Sequence, residues 1–118
     1  MEKKLALIIE DDPHLNEIFS LTLQDNFIIE SVHDGREAIS LLNEMVPDVV
    51  ILDLHLPNVT GDQILSVIRS NEQMRHTRVI LTTADAQMAE SLNDEADLVL
   101  LKPISPIQLL DLVKRISS

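Results

Sequence analysis

One short segment constrains the fold of this chain more than any other. Residues 49–52, Val-Val-Ile-Leu, form a continuous apolar and largely β-branched run, which is typical of a strand buried on both faces. The run ends at Asp53, and Pro57 cannot continue a central strand. In open α/β sheets, ligands bind at the carboxyl ends of the strands. Asp53 is therefore a candidate site residue, although an isolated aspartate at a strand end is more often a turn residue.

The rest of the chain alternates between short apolar runs and stretches with helical periodicity. The apolar runs predict further strands at residues 5–9, 27–32, 79–81 and 98–101. The periodic stretches predict helices at residues 13–24, 38–45, 61–68, 86–93 and 106–116. Short βαβ units imply a single α/β domain over residues 1–118, with a doubly wound, five-stranded parallel sheet and helices on both faces. A strand order of 2-1-3-4-5 would place the first and third strands side by side.

Polar side chains follow the predicted strands at their carboxyl ends. They are Asp11 and Asp12 after the first strand, Asp53 after the third, Thr83 after the fourth and Lys102 after the fifth. Carboxylates gathered in one pocket repel each other and raise each other's pKa values unless a cation binds between them. An oxygen-only ligand set suits a hard ion, of which Mg²⁺ is the most obvious. The pattern therefore predicts a magnesium site in which Asp11 and Asp12 are ligands, directly or through water.

The same residues are suited to phosphoryl transfer. A carboxylate can attack a phosphoryl group and form an acyl phosphate, and this reaction needs little from the protein except positioning and neutralisation of charge. Asp53 is the predicted nucleophile, Lys102 supplies a positive charge, and Thr83 supplies a hydroxyl. Taken singly, each residue has a simpler explanation, such as capping of a helix by Asp12. Their combination at the ends of the appropriate strands favours the site.

Because of the combination and order of these residues, the chain closely resembles the receiver domain of two-component response regulators, and in particular the single-domain chemotaxis type. The resemblance covers nearly the whole chain and rests on Glu10-Asp11-Asp12, Asp53 with Pro57 and Gly61, Thr83-Ala84, and Lys102-Pro103. It implies a flavodoxin-like fold with Asp53 as phosphoacceptor. It further implies Mg²⁺ held by Asp11, Asp12, Asp53 and the backbone carbonyl of His55. Thr83 is then the switch hydroxyl, and Lys102 contacts the phosphoryl group.

The resemblance also implies what the chain does and with which partners. It implies a signalling protein, not an enzyme in the ordinary sense, that assists its own phosphorylation and dephosphorylation. The phosphoryl group would come from a phosphohistidine on a histidine kinase or a phosphotransfer protein, and the output surface would comprise the fourth helix, fifth strand and fifth helix. Three positions depart from the family pattern. Val99 replaces a frequent aromatic, Glu95 replaces a common glycine before Ala96-Asp97, and His55 is larger than many residues found there.

Three other functions are weaker. A receiver-like scaffold that binds proteins without phosphorylation would be free to lose Asp53, Thr83 and Lys102. A phosphatase of the haloacid-dehalogenase type resembles a pattern with a second aspartate two residues after the nucleophile, where this chain has His55. A flavin-binding role is disfavoured because no Ser/Thr-rich phosphate loop follows the first strand and the chain contains no Trp or Tyr.

Composition limits the remaining possibilities. A formal net charge of −11 predicts no direct binding to nucleic acid or to anionic membranes. The sequence shows no signal peptide and no apolar run long enough to span a membrane, so we expect a soluble, cytoplasmic protein. The histidines show no ligand spacing and are predicted to be surface or loop residues: His14, His33, His55 and His76. Met45 and Met88 fall on helical apolar faces and are predicted to be core residues.

The sequence does not determine what surrounds the last predicted helix. At 100° per residue, its apolar side chains spread over about 220°, more than the ~100° stripe that a core-facing helix needs. Either the helix has a wide buried face, or its surplus apolar edge, including Leu112, meets a partner or a second copy of the chain. No output domain is recognisable after this helix, so a lone receiver and a piece of a longer regulator or hybrid kinase are both compatible with the sequence.

Overall fold

The computed structural model describes residues 2–118 and contains one five-stranded parallel sheet. Its strands are β1 (Lys4–Ile9), β2 (Phe27–Val32), β3 (Val49–Asp53), β4 (Arg78–Thr83) and β5 (Leu98–Leu101). They are arranged in the order β2-β1-β3-β4-β5, with every neighbouring pair parallel. The predicted doubly wound α/β fold and the predicted 2-1-3-4-5 strand order are therefore confirmed.

The register of the strands aligns their carboxyl ends at one edge of the sheet. Ile9 of β1 lies opposite Leu52 of β3, and Asp53 lies opposite Thr82 of β4. All five residues of β3 are buried, as expected for a central strand covered on both faces. The residues that follow β1, β3, β4 and β5 consequently meet at this edge.

The helices follow the strands in alternation. They are α1 (Pro13–Leu23), α2 (Gly35–Leu42), α3 (Gly61–Ser70), α4 (Ala86–Leu92) and α5 (Pro106–Ser117), and a short 3₁₀ turn spans Glu72–Met74. Local sequence explains their starts. Asp12, Asp34, Asp85 and Ser105 each accept hydrogen bonds from first-turn N–H groups, and Thr60 forms a capping box with Gln63. Pro13 and Pro106 stand at the first helical positions, where a missing N–H costs nothing.

The sheet separates two apolar clusters. Helices α1 and α5 cover one face, where Phe19 and Leu109 pack on strand residues such as Ile51. Helices α2, α3 and α4 cover the other face, where Ile64 and Leu65 of α3 pack on β3 and β4 and Met88 contributes from α4. Helix α4 contains no fully buried residue, so it is the helix that is held most weakly by apolar packing.

The end of one predicted helix and two expectations about core residues need correction. Helix α2 ends at Leu42 and not at residue 45, because the following chain turns toward β3 and Pro47 disfavours a helical conformation for the residue before it. Met45 is therefore outside the helix and only half-buried. Met88 packs against the core but is also only half-buried, whereas Met74 of the 3₁₀ turn is fully buried.

The apolar side chains of helix α5 lie in two different environments. Leu109 and Val113 are fully buried, and Leu110 and Ile116 pack partly against the same cluster. Leu112 is half-buried, and Ile107 is 82% exposed. The helix therefore has an ordinary core stripe with apolar residues remaining at its edge. Among residues 2–118, no helix is both long enough and apolar enough to cross a membrane.

Candidate functional site

Three carboxylates meet where β1 and β3 end. Glu10 and Asp11 follow β1 directly, and Asp53 is the last residue of β3. One carboxylate oxygen from each residue lies within 4.8 Å of the others. Glu10 and Asp53 are almost completely buried, with 1% of each residue exposed, whereas Asp11 is exposed. We refer to Glu10, Asp11 and Asp53 as the acidic cluster.

A buried asparagine holds the strand end that carries two of these carboxylates. The side-chain amide of Asn16, in α1, donates to the backbone carbonyl of Glu10 at 3.1 Å and to that of Val32 at 3.0 Å. The backbone N–H of Glu10 also donates to the Val32 carbonyl. Because these bonds tie the ends of β1 and β2 to α1, they fix the direction in which residues 10 and 11 leave the sheet.

Lys102 supplies the positive charge of the site. Its ammonium lies 2.9 Å from Glu10 Oε1 and 3.5 Å from Asp53 Oδ1. Its backbone N–H donates to the Thr83 carbonyl at 2.8 Å, which fixes the end of β5 beside the end of β4. The Lys102 side chain therefore links the acidic cluster to the end of β5.

The backbone around Asp53 is tightly held. Asp53 Oδ1 accepts a hydrogen bond from the His55 N–H at 3.1 Å, and the Leu54 N–H donates to Thr82 at 3.0 Å. Gly61, at the start of α3, lies against this segment so closely that a Cβ there would come within 2.5 Å of the Asp53 carbonyl oxygen. The absence of a side chain at Gly61 is therefore what allows α3 to begin beside Asp53.

Thr83 stands at the opposite side of the site. It is fully buried, and its hydroxyl accepts a hydrogen bond from the Asp85 N–H at 3.0 Å. The same oxygen lies 3.2 Å from Nε2 of the exposed His55 imidazole. The structure therefore brings Thr83 together with His55, whose backbone N–H donates a hydrogen bond to Asp53.

The structure assigns different tasks to the residues of the acidic stretch. Asp12 Oδ1 accepts hydrogen bonds from the N–H groups of His14 and Leu15, so its carboxylate caps α1 and does not belong to the acidic cluster. Glu10 takes the place in the cluster that the sequence interpretation gave to Asp12. The signal for this was present in the sequence, because Pro13 at the first helical position indicates that Asp12 is the N-cap residue.

Comparison with known proteins identifies the chain. The family model of the response regulator receiver domain matches residues 6–114. This chain is a response regulator receiver domain. The predicted resemblance is thereby confirmed, and the protein belongs to the signalling modules of two-component systems.

This receiver domain is similar in sequence to individual response regulators and in structure to a solved receiver domain. It is 35% identical over 115 residues to an uncharacterized response regulatory protein of Vibrio vulnificus, covering 95% of this chain and 47% of the relative. It is 30% identical over 84 residues to hybrid signal transduction histidine kinase D of Dictyostelium discoideum, covering 71% of this chain and 5% of the relative. The chain thus spans half or less of the length of these relatives. The structure of the chemotaxis response regulator CheY4 of Vibrio cholerae superimposes with a TM-score of 0.89 at 27% identity, covering 98% of this chain and 99% of that one.

Burial shifts the protonation of the site in this receiver domain. Burial raises the pKa of Glu10 to about 7, although hydrogen bonds from the Asp12 N–H and Lys102 act in the opposite direction. Burial also raises the pKa of Asp53, against the hydrogen bond from the His55 N–H. For Lys102, burial acts to lower the pKa, but the hydrogen bond with Glu10 and the charge of Asp53 outweigh it and raise the pKa. Without a bound cation, burial therefore favours the protonated forms of Glu10 and Asp53.

The donors of this cluster fit a metal ion. Glu10 Oε1 is buried, and the Lys102 ammonium 2.9 Å away pairs with its charge. The cluster offers only carboxylate oxygens, the ligands that hard divalent cations prefer. A cation there would relieve the repulsion among the three carboxylates, so the cluster is able to bind a metal ion.

The raised pKa of Glu10 predicts how pH affects the stability of the metal-free chain. Because the folded-state pKa of about 7 lies above the ordinary value of 4.5, the folded chain binds more protons than the unfolded chain between these values. The contribution of Glu10 to stability is therefore fully present below pH 4.5 and is lost as pH rises through 7. Urea denaturation of the native chain and of Glu10→Gln, which does not titrate, should give free energies of unfolding whose difference changes by about 1–3 kcal/mol over this interval. Parallel pH profiles would show that Glu10 titrates normally.

Proposed function

We propose that this receiver domain accepts a phosphoryl group from a phosphohistidine of a partner protein onto Asp53, with Mg²⁺ bound at the acidic cluster. The observation that carries the proposal is the position of Lys102, whose ammonium lies beside Asp53 and Glu10 at the carboxyl edge of the sheet. A nucleophilic carboxylate next to one fixed cation and a metal-binding cluster provides the positioning and charge neutralisation that phosphoryl transfer needs.

The metal ligands follow from the cluster. Glu10, Asp11 and Asp53 would hold Mg²⁺ with the backbone carbonyl of His55, directly or through water. Bound Mg²⁺ would neutralise the oxygens of the transferred phosphoryl group. Asp12 enters this proposal only as the residue that caps α1, because its carboxylate is occupied by the His14 and Leu15 N–H groups.

The protein's own groups then have distinct tasks in the transfer. A carboxylate oxygen of Asp53 attacks the phosphorus in line, the P–N bond to the donor imidazole breaks, and an acyl phosphate forms. The His55 N–H keeps the Asp53 carboxylate oriented at the end of β3. Lys102 has an ion-pair partner in Asp53 before transfer and faces a phosphoryl oxygen afterwards. Attack of water on the acyl phosphate would reverse the modification, so the domain assists both its phosphorylation and its dephosphorylation.

The donor would be a histidine kinase or a histidine phosphotransfer protein. Hybrid histidine kinase D, a relative of this domain, is named as a signal transduction histidine kinase, and this supports a partner of that class. Because the chain carries a net charge of −11, we do not propose direct binding to nucleic acid.

The output would pass through the surface formed by α4, β5 and α5. Movement of Thr83 toward the phosphoryl group would shift the segment that leads into α4, which has no fully buried residue to resist it. Val99 of β5 is half-buried against the core and is too small to alternate between two positions as an aromatic ring can. Leu101 is 50% exposed and Ile107 is 82% exposed, which gives this surface apolar contacts for an output partner or a second copy of the domain.

The metal requirement provides the test of this function. Incubation with acetyl phosphate and Mg²⁺ should add one phosphoryl mass to the native chain, and removal of Mg²⁺ by EDTA should reduce incorporation by at least about 100-fold because the acidic cluster then repels the donor. Intact-mass spectrometry measures the incorporation directly. Equal incorporation with and without Mg²⁺ would contradict the proposed role of the acidic cluster.

A further inference from the structure

His55 contacts two residues of the site through different groups. Its backbone N–H donates to Asp53 Oδ1 at 3.1 Å, and its imidazole Nε2 lies 3.2 Å from the hydroxyl oxygen of Thr83. The side chain is exposed, whereas both of its contact residues are buried. His55 is therefore a surface residue that touches the phosphoacceptor and the switch hydroxyl at the same time.

The second contact restrains Thr83. A threonine hydroxyl offers one donor and two acceptor positions. One acceptor position is used by the Asp85 N–H at 3.0 Å. The imidazole takes either the donor or the other acceptor position, according to its tautomer. With both partners in place, the hydroxyl is oriented toward His55 and the segment that leads into α4.

We propose that the contact between the His55 imidazole and the Thr83 hydroxyl, here called the His55–Thr83 contact, holds Thr83 in its resting position and must break before Thr83 can bind a phosphoryl group on Asp53. His55 is thus a positioning residue that sets the balance between the resting and phosphorylated forms. This inference rests on the proposed function and adds a regulatory element to the same site.

The hydrogen bond from the His55 backbone N–H to Asp53 makes the His55–Thr83 contact responsive to phosphorylation. Phosphorylation converts the Asp53 carboxylate into an acyl phosphate and so changes the acceptor that the His55 N–H uses, which exposes the backbone at residue 55 directly to the modification. The imidazole is carried on that backbone, and a displacement there separates Nε2 from the Thr83 hydroxyl. Release of Thr83 and modification of Asp53 are thereby coupled through one residue.

The energetic effect is set by one exposed hydrogen bond. Such a bond contributes modestly to stability, so its loss should change the equilibrium between the two forms by about three- to tenfold. Removing the imidazole should therefore favour the phosphorylated form, because Thr83 no longer has to leave a partner. This direction distinguishes the proposed role from a direct contact with the phosphoryl group, which would be lost with the imidazole and would weaken binding.

Beryllofluoride, an analogue of the phosphoryl group, provides the equilibrium measurement in the presence of Mg²⁺. His55→Leu, which retains bulk but no hydrogen-bonding group, is expected to bind it about three- to tenfold more tightly than the native chain. His55→Gln, whose amide can occupy the position of Nε2, should return the affinity toward the native value. His76→Leu is the matched control, because the exposed His76 imidazole hydrogen-bonds only with its neighbour Arg75 among the described residues.

A double-mutant cycle isolates the contact. In a Thr83→Ala background, His55→Leu should change the affinity for beryllofluoride by less than twofold, because the partner hydroxyl is already absent. The proposal fails if His55→Leu binds the analogue equally or more weakly than the native chain, or if its effect persists without the Thr83 hydroxyl.

A measurement on the metal-free chain separates this inference from the proposed function. Three-bond NMR couplings of the Thr83 methyl group should show one χ1 rotamer in the native chain and in His76→Leu, and exchange between rotamers in His55→Leu. Unchanged couplings in His55→Leu would refute the His55–Thr83 contact whether or not Asp53 is phosphorylated. Failure of the native chain to bind beryllofluoride would refute the proposed function, and with it the regulatory role of the contact, even if the couplings change as expected.

Discussion

Replacing Asp53 by asparagine should abolish phosphoryl incorporation, with a loss of at least about 100-fold relative to the native chain. The amide oxygen is not a competent nucleophile toward phosphorus, and the acidic cluster also loses one of its charges. The side chain of asparagine is close in shape to that of aspartate, so β3 and its contacts should be retained at this buried position. Intact-mass spectrometry after incubation with acetyl phosphate and Mg²⁺ measures the change.

Asp12→Asn is the matched control for this experiment. Asparagine caps helices about as well as aspartate, so α1 should be unaffected. Because the Asp12 carboxylate already caps α1 and lies outside the acidic cluster, phosphoryl incorporation should remain within about twofold of the native chain. If Asp12→Asn lost incorporation as severely as Asp53→Asn, the division of tasks between Glu10 and Asp12 would be wrong.

Substitution of Gly61 by alanine should lower the free energy of unfolding by about 2–3 kcal/mol. A Cβ at this position would lie 2.5 Å from the Asp53 carbonyl oxygen and 2.6 Å from the Leu54 Cα. Both contacts are with backbone, which cannot rotate away as the end of a side chain can, so α3 or the segment after β3 must shift. A loss of this size would lower the melting temperature by about 10 °C in a domain of this length.

Ser66→Ala provides the comparison for this prediction. Ser66 is an exposed residue within the same helix, and alanine there should leave stability unchanged or raise it by a few tenths of a kcal/mol. The displacement in Gly61→Ala should also reach Asp53 and reduce phosphoryl incorporation, whereas Ser66→Ala should not. A Gly61→Ala chain that melts with the native chain would show that α3 can move outward at little cost.

Local sequence was enough to predict where the strands lie and which edge of the sheet carries the candidate site. A continuous apolar run that ends at Asp53 predicts a buried strand with a carboxylate at its end, and Lys102 follows the fifth run in the same way. These predictions depend only on residues that are adjacent in the chain. The parallel α/β fold follows from the alternation of such runs with helical stretches, and both the fold and the family are confirmed.

Tertiary structure decided which side chains share the site. The sequence contains three consecutive acidic residues, and choosing between Glu10 and Asp12 requires knowing where each side chain points. Asp12 satisfies N–H groups of α1, whereas Glu10 remains on the buried end of β1 and reaches Lys102. The sequence also did not determine how deeply each apolar side chain is buried. Met45, for example, has the spacing of a helical core residue but lies beyond the end of α2 and is only half-buried.

The His55–Thr83 contact shows the physical limit of sequence reasoning most directly. The His55 imidazole shows no ligand spacing and stands in a loop, so the sequence predicts only that this side chain lies on the surface. The pairing of Asp53 with Thr82 across β3 and β4 determines which residues beyond those strand ends lie together. Local propensity fixes the strands because it acts between near neighbours. A contact between residues 28 positions apart depends on strand register and on the path of two loops, and these are set only when the whole sheet is packed.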